Sequence, residues 1–283
     1  MFEALVKIVL ILAGVSGAVA YLILVERKVA AYIQDRVGPN RVGRWGLLQP
    51  IADGGKFLFK EQIIPAHVDR VLYLLAPAVM LVAAMAGFAV VPFGHVIPGP
   101  GGRPIPMVIA PGADIGLVYL FAVGGMTVYG VVLGGWASNN KYSFFGAMRS
   151  AAQLISYEIP LGLSVLGIIV LTGSLRLDEI IGRQVAPGGH GWNLFLQPLG
   201  FLVFLVSAFA EAGRHPFDLP EAEQELIGGY HTEYSGMKYG MFALAEYTHM
   251  ITASFLAVIL FFGGWQLPWM APYVSPEDVR GFT

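Results

Sequence analysis

The sequence predicts an all-α integral membrane protein, a polytopic helical bundle in which six membrane spans are visible. Of its 283 residues, 56% are hydrophobic and 13% are charged, whereas a soluble domain carries roughly 25% charged residues. The mean hydropathy is +0.66. A span needs about 20 mostly apolar residues, and the segments that meet this requirement are about 4–25, 71–93, 115–137, 150–172, 194–212 and 239–264.

The first span is predicted to be a retained helix and not a cleaved signal peptide. Its apolar run begins at Leu5 without a basic leader region, and Glu26-Arg27-Lys28 follow it where a small-residue cleavage site would stand. We find no internal repeat and no low-complexity tract, and nothing marks a domain boundary. We therefore predict a single transmembrane domain over residues 1–283.

The connections between spans form two sets that differ in charge. One set holds twelve lysines and arginines and the other holds four. Because basic residues stay on the cytoplasmic side, we expect the N-terminus outside and the basic set on the cytoplasmic side. The basic set is 26–70, 138–149 and 213–238, and the other set is 94–113, 174–192 and 265–283.

Composition also argues against several classes of function. The chain has no cysteine, so it can hold neither a thiolate-ligated iron–sulfur cluster nor a disulfide. Its formal net charge of -2 gives no support to nucleic-acid binding, which usually requires a strongly basic balance. We predict no catalytic residue and no metal ligand in this chain.

The first basic connection is predicted to contain an interfacial helix. A turn at Gly38-Pro39-Asn40 precedes an amphipathic stretch in which Asp53, Lys56 and Lys60 share one face. The opposite face is apolar and could contact lipid or a hydrophobic guest. An ordinary amphipathic helix at the lipid headgroups is the competing interpretation. A second short amphipathic helix is predicted within 174–192.

Acidic residues are concentrated in and beside the apolar segments. A carboxylate in or near hydrocarbon is expensive and indicates a functional site. Asp218 is predicted to cap a helix with Glu221 in a capping box, so that both share a face with Glu225 and titrate as a coupled set. The acids in question are Glu158, Glu211, Asp218, Glu221, Glu223, Glu225, Glu233 and Glu246.

Plainer interpretations of these acids stay open. The stretch after Glu211 could be a solvated acidic loop. Glu158 and Glu246 could be structural ion pairs with Arg149 or Lys238. His249 beside Glu246 would ordinarily be a satisfied interior histidine.

Several of these motifs together resemble one family, the NuoH family of respiratory complex I, the proton-pumping NADH:quinone oxidoreductase. The resemblance covers nearly the whole chain. It implies eight spans, so we expect two further helices beyond Thr283. The motifs that carry it are E-R-K, R-V-G-P-N-R-V-G, A-D-G-G-K-F-L-F-K-E, R-S-A-A-Q-L-I-S-Y-E, P-F-D-L-P-E-A-E-Q-E-L-I-G-G-Y-H-T-E-Y-S-G and A-E-Y.

The resemblance implies a membrane protein that forms much of the quinone tunnel and starts a proton path toward antiporter-like pump subunits. For the tunnel it implies the first-connection residues Arg27, Asp53, Lys56, Phe57, Lys60 and Glu61. For coupling it implies Arg149, Glu158, Glu211, Asp218, Glu221, Glu223, Glu225, Glu233 and Glu246.

The resemblance also implies what surrounds the chain. Quinone is the substrate, and the chain itself binds no cofactor. Iron–sulfur clusters, FMN and NADH belong to partner subunits. Expected partners are the peripheral-arm quinone-site subunits, neighbouring small and antiporter-like membrane subunits, and lipids. The bacterial cytoplasmic membrane is the favoured location over the mitochondrial inner membrane.

Two alternatives to this function are open. One is the equivalent subunit of a membrane-bound hydrogenase or of a ferredoxin-, F420- or plastoquinone-linked relative, which the sequence of this one chain does not exclude. The other is a stand-alone cation-coupled transporter, which predicts an inverted repeat with paired broken helices, and no such repeat is found. A third alternative, a purely structural membrane anchor, would not explain why acidic residues lie within apolar segments.

Overall fold

Helices make up most of the computed structural model, which describes residues 2–94, 96–98, 104–185 and 191–265. The predicted all-α membrane class is confirmed, because five helical stretches of the described chain are long and apolar enough to cross a membrane. The helices are α1 (Phe2–Ile33), α2 (Gln49–Phe59), α3 (Arg70–Ala86), α4 (Gly116–Gly125), α5 (Thr127–Ala137), α6 (Lys141–Thr172), α7 (Leu177–Val185), α8 (Asn193–Leu196), α9 (Pro198–Glu211), α10 (Glu223–Leu226) and α11 (Gly236–Phe261).

Smaller elements join these helices. The 3₁₀ turns are Arg44–Gly46, Gly87–Ala89 and Gly229–His231. A two-residue antiparallel pair joins Ile97–Pro98 to Pro104–Ile105. The predicted connection 265–283 lies outside the described residues except for Trp265, as do parts of 94–113 and 174–192.

The long helices correspond to five of the six predicted spans. The sixth, 194–212, is represented by α8 and α9, and α9 has 14 residues. At 1.5 Å per residue this is about 21 Å, less than the roughly 30 Å thickness of a hydrocarbon core. Its role as a full span, and the orientation of the bundle, stay predictions. We call the end that carries 26–70, 138–149 and 213–238 the loop end.

Local sequence signals explain where α3 and α6 begin. The Asp69 carboxylate accepts hydrogen bonds from the backbone N–H groups of Val71 (3.0 Å) and Leu72 (3.2 Å). The Asn140 side chain accepts one from Tyr142 N–H at 2.9 Å. Asp and Asn are favoured at this position because they satisfy N–H groups that have no helical partner. Both helices therefore start at the loop end with short polar caps.

The third span is broken near its middle. Helix α4 ends at Gly125 and α5 starts at Thr127, with Met126 between them. The Thr127 hydroxyl donates to the Gly124 carbonyl at 2.7 Å, which satisfies an acceptor at the break. Broken backbone at membrane depth is tolerated where protein buries it or where it lines a cavity.

Glycines allow α5 to pack closely between two neighbours. A Cβ at Gly130 would lie 2.6 Å from Met80 Cβ of α3, and one at Gly135 would lie 2.6 Å from the Ser143 carbonyl oxygen of α6. Small residues at such contacts are typical of membrane helices, which associate by close backbone approach. Helix α5 therefore holds α3 and α6 on its two sides.

Buried apolar residues form two cores. The first lies toward the loop end and includes Tyr73, Met80, Tyr230, Tyr234 and Phe242. Its rings pack face to face where Tyr73 stacks on Tyr234, with centroids 4.1 Å apart. The second core lies toward the other end and includes Phe88, Leu117, Val165, Ile168, Ile180, Phe204, Ile259 and Leu260.

Both predicted amphipathic helices are present as α2 and α7. Helix α2 has no buried residue and exposes Ile51, Leu58 and Phe59. Helix α7 buries Ile180 and Ile181, and Arg176 before it pairs with Asp178 at 2.8 Å. The alternative in which 213–238 is a solvated loop is wrong for its second half, because Tyr230 and Tyr234 are buried.

The predicted helix beginning at Asp218 is wrong. Helix α10 starts at Glu223, and Ala222 before it has a left-handed φ of 29°. The backbone of Gly229 packs against both Gly146 of α6 and the Pro220 carbonyl, so the chain must double back between them. This tertiary contact overrides the local capping signal, and Asp218, Glu221 and Glu225 do not share a helix face.

Candidate functional site

A cavity of about 50 Å³ lies inside the loop end of the bundle. Helices α3, α5, α6, α9 and α11, the segment 212–221 and the turn Gly229–His231 contribute to its lining. Among the described residues, no lysine or arginine lines it. Its ionisable or hydrogen-bonding lining residues include Glu211, Asp218, Glu221, Tyr230, Glu246 and His249. We call it the acid cavity.

Glu246 has a hydrogen-bond donor in the buried ring of Tyr230. The Tyr230 hydroxyl donates to Glu246 Oε1. Burial raises the pKa of Tyr230 well above its ordinary value, and the negative charge of Glu246 raises it further. Tyr230 therefore stays protonated at neutral pH and can act as a donor to a carboxylate.

Glu211 and Glu158 approach each other from two helices. Glu211, the last residue of α9, lies with Oε1 3.5 Å from His249 Nε2 of α11. Glu158 of α6 interacts electrostatically with both Glu211 and His249. A Cβ at Gly125 would lie 2.8 Å from Glu158 Oε1. The glycine at the break in the third span therefore makes room for this carboxylate.

Three of the predicted coupling acids, Glu158, Glu225 and Glu233, do not line the acid cavity. Arg149 Nη1 bonds Glu225 Oε2 at 2.7 Å, at an exposed position. The Asn140 side chain donates to Glu233 Oε1 at 2.5 Å. The side chain of Glu223 lies outside the described part of the structure. The role of each of these acids in coupling stays a prediction.

The suggested ion pairs for Glu158 and Glu246 are wrong for the cations proposed. Arg149 bonds Glu225, as described above. Lys238 donates to the Gln62 side chain at 3.1 Å. Neither cation neutralises an acid within a span, so Glu158 and Glu246 need another physical role.

The residues predicted to line a quinone tunnel fall into two groups. Asp53 of α2 accepts hydrogen bonds from Arg27 and from Gln49, each at 2.9 Å. Phe57 packs against α11 near Gly240. The side chains of the others, Lys56, Lys60 and Glu61, are exposed.

A separate recess lies between the loop end of α1 and the segment 37–45 of the first connection. Its volume is about 340 Å³, and its lining includes Lys28, Tyr32 and Trp45. None of the predicted tunnel residues lines it. The predicted tunnel residues and this recess are therefore distinct features of the first connection.

A row of aromatic rings joins α2 to the acid cavity. Ring centroids lie 6.4 Å apart for Phe57 and Tyr239, 5.2 Å for Tyr239 and His231, and 5.1 Å for His231 and Tyr230. These spacings are within the range of aromatic contacts. Burial lowers the pKa of His231 to about 4, so this ring is neutral at neutral pH. The row ends at the hydroxyl that bonds Glu246.

Sequence reasoning missed a second charged cluster next to the cavity. Arg214 Nη1 lies 3.2 Å from Glu26 Oε1, and the Tyr247 hydroxyl donates to Glu26 Oε2 at 2.6 Å. The Arg214 guanidinium lies 4.2 Å from the Tyr247 ring centroid. Burial lowers the pKa of Arg214, but the Tyr247 hydrogen bond and the charges of Glu26 and Glu246 outweigh it and raise the pKa.

Two sequence signals could have revealed this cluster. The E-R-K motif puts charge at the loop end of α1, and A-G-R-H puts Arg214 just after α9. Helix ends on one face of a membrane bundle lie close together, so opposite charges there are candidate partners. Among the described residues, no group of three or more His, Cys, Asp or Glu side chains could hold a metal ion.

Fold and cavity together define the class as a polytopic membrane protein that keeps carboxyl groups around an internal cavity at one end of its bundle. Residues 6–281 match the family model described as NADH dehydrogenase. The chain therefore belongs to the NuoH family, the H-type membrane subunits of NADH-quinone oxidoreductase, which is respiratory complex I.

Individual relatives agree with this assignment. NADH-quinone oxidoreductase subunit 8 of Thermus thermophilus is 51% identical, over 95% of this chain and 72% of that protein. The first H-type subunit of the same enzyme from Geobacter metallireducens is 48% identical, over 95% of this chain and 80% of its own length. The H-type subunit from Flavobacterium psychrophilum is 48% identical, over 100% of this chain and 82% of its own length.

Proposed function

We propose that this chain binds quinone beside its first connection and couples quinone reduction to proton translocation through the acid cavity. The observation that carries the proposal is the gathering of Glu211, Glu246 and His249 around one cavity without a lysine or arginine in its described lining. The row of rings from Phe57 to Tyr230 links that cavity to α2.

Helix α2 has the properties needed beside a quinone. Leu58 and Phe59 offer apolar surface, and Phe59 is 92% exposed, which suits contact with an isoprenoid tail. Arg27 can donate to a quinone carbonyl if its pair with Asp53, which is half exposed on the arginine side, is exchanged. A partner subunit would close this surface and exclude water from it.

Reduction of the quinone would change the electrostatic potential at the acid cavity. Two electrons and two protons convert a quinone to a quinol, and negative charge arises nearby until the protons arrive. In a medium of low dielectric constant such a charge acts over a longer range than in water. Carboxyl groups that share one cavity respond together, because a change in charge on one alters the energy of the others.

The proposal extends to the surrounding assembly, in which other subunits of NADH-quinone oxidoreductase carry the redox centres. Electrons reach the quinone from NADH through FMN and iron–sulfur clusters in partner subunits. Peripheral-arm quinone-site subunits cover α2, and neighbouring small and antiporter-like membrane subunits receive the protons or the charge signal. Lipids surround the bundle, in a bacterial cytoplasmic membrane.

The proposal is tested by neutralising cavity acids in the assembled complex in proteoliposomes. We expect Glu246→Gln and Glu211→Gln each to lower proton pumping by about tenfold or more, the scale of a lost proton-transfer group. Asp114→Asn is the matched control, because its side chain is 85% exposed at the other end of the bundle. Pumping and quinone reduction at control rates in both cavity variants would refute the proposal.

A further inference from the structure

A second cavity continues from the acid cavity toward the other end of the bundle. It has a volume of about 30 Å³, and its lining is mostly apolar, with Leu120, Leu161 and Phe204 among its residues. Of the described residues, Glu211 and His249 alone line both cavities. The contact between these two side chains is therefore the polar boundary between a carboxyl-lined space and an apolar one.

The geometry of this boundary suits proton exchange. His249 Nε2 and Glu211 Oε1 are 3.5 Å apart, and the two side chains are 17% and 10% exposed. A Cβ at Gly124 would lie 3.5 Å from His249 Nε2, and one at Gly125 would lie 2.8 Å from Glu158 Oε1. Gly125 thus leaves the space that the Glu158 carboxylate occupies, and the neighbouring Gly124 lies at ordinary contact distance from the imidazole.

The charged groups around His249 are acidic. Helix α9 presents Glu211, and α6 presents Glu158. The described residues of α3 and α4 that line the second cavity carry no ionisable group. His249's own helix and the loop segment add, through the acid cavity, Glu246, Asp218, Glu221 and Tyr230.

We infer that His249, at the boundary of the two cavities, transfers protons from Glu211 of the acid cavity to Glu158 of α6. The inference rests on the proposed function and deepens it by naming the group through which protons leave the acid cavity. In the step, the Glu211 carboxylic acid protonates the imidazole, and the imidazolium then protonates the Glu158 carboxylate. Glu211 ends as a carboxylate and Glu158 as an acid, and no electrons change hands.

The test uses His249→Asn in the assembled complex in proteoliposomes. Asparagine keeps a polar side chain but does not ionise, so we expect pumping to fall about tenfold while the complex still assembles. Imidazole added to His249→Ala should restore part of the loss. His67→Asn, at an exposed histidine of the first connection, is the control. Should His249→Asn not assemble, His249→Gln replaces it.

The double variant Glu211→Gln/His249→Asn separates this inference from the proposed function. Residues that act in one path are non-additive, so we expect the double variant to pump no less than Glu211→Gln alone. Normal pumping in His249→Asn together with impaired pumping in Glu211→Gln would overturn the role of His249 and leave the proposed function standing. Normal pumping in Glu211→Gln and Glu246→Gln would overturn both.

Discussion

Tyr230, which is buried, forms a polar contact with Glu246 in the lining of the acid cavity. The Tyr230 ring packs edge-on against Phe242 at 5.3 Å, and its hydroxyl reaches the carboxylate. The sequence predicts that Glu246 matters because an acid within a span is costly. It does not predict Tyr230 as the donor, because the partner lies in a turn whose path depends on packing against α6.

Removing the Tyr230 hydroxyl should remove its hydrogen bond to Glu246 but keep the aromatic ring, so that no void is created. We expect Tyr230→Phe to destabilise the loop-end core by about 1.5–3 kcal/mol, the net value of a hydrogen bond to a charged group. The measurement is the thermal unfolding of this chain within the purified complex in detergent. Tyr129→Phe is the control, since Tyr129 is 65% exposed. Equal stability of the two variants would contradict this role of Tyr230.

At the scale of elements, the apolar runs predict the long helices well and their interruptions poorly. Hydrocarbon length sets how many apolar residues a span requires, so five long helices match their predicted positions. The break at Met126 is not predicted, because no proline lies there in the sequence. The helix expected at Asp218 is lost because Gly229 packs against Pro220 and Gly146.

The same limit applies to the candidate site. The concentration of acids between Glu211 and Glu246 is visible in the sequence. Which of them share a cavity is not, because that depends on helix rotation and on distant partners. Glu225 forms an ion pair with Arg149, and Glu233 accepts a hydrogen bond from Asn140. Neither acid lines the acid cavity.

Close packing at Gly130 gives a prediction for α5. An added methyl group would collide with the backbone and Cβ of Met80, which α3 holds in place. We expect Gly130→Ala to lower the thermal stability of the complex by about 1–3 kcal/mol, the cost of overpacking. Gly162→Ala in α6 is the control, because a Cβ at that position would lie more than 4 Å from the residues packed around the helix. A Gly130→Ala complex as stable as Gly162→Ala would show that α3 can yield.

The whole molecule has two apolar cores with different chemistry around them. The loop-end core contains Tyr230 and Tyr234 and borders His231, whereas the described buried residues of the core around Phe88 and Ile168 include no ionisable side chain, although Tyr119 packs against it. Burial lowers the pKa of His231 to about 4 from an ordinary 6.5. The unfolded chain therefore binds the proton more tightly, and stability falls as the pH drops from about 6.5 toward 4.

This difference predicts that acid loosens one end of the bundle first. Between pH 7 and pH 4.5 we expect up to about 3 kcal/mol of local stability to be lost around residues 229–238. Hydrogen–deuterium exchange of the complex, corrected for the intrinsic effect of pH, would show faster exchange there than in α7. His231→Asn cannot take up the proton and should reduce that change. An unaltered pH response in His231→Asn would exclude this histidine as the cause.

Near its loop end, helix α1 carries two paired charges on consecutive residues. Glu26 bonds Arg214, which follows α9, and Arg27 bonds Asp53 of α2. Neighbouring side chains on a helix point about 100° apart, so turning α1 about its axis cannot preserve both bonds unless α2 and Arg214 move with it. The orientation of α1 thus ties the position of α2 to that of Arg214, and a shift of either should displace the other.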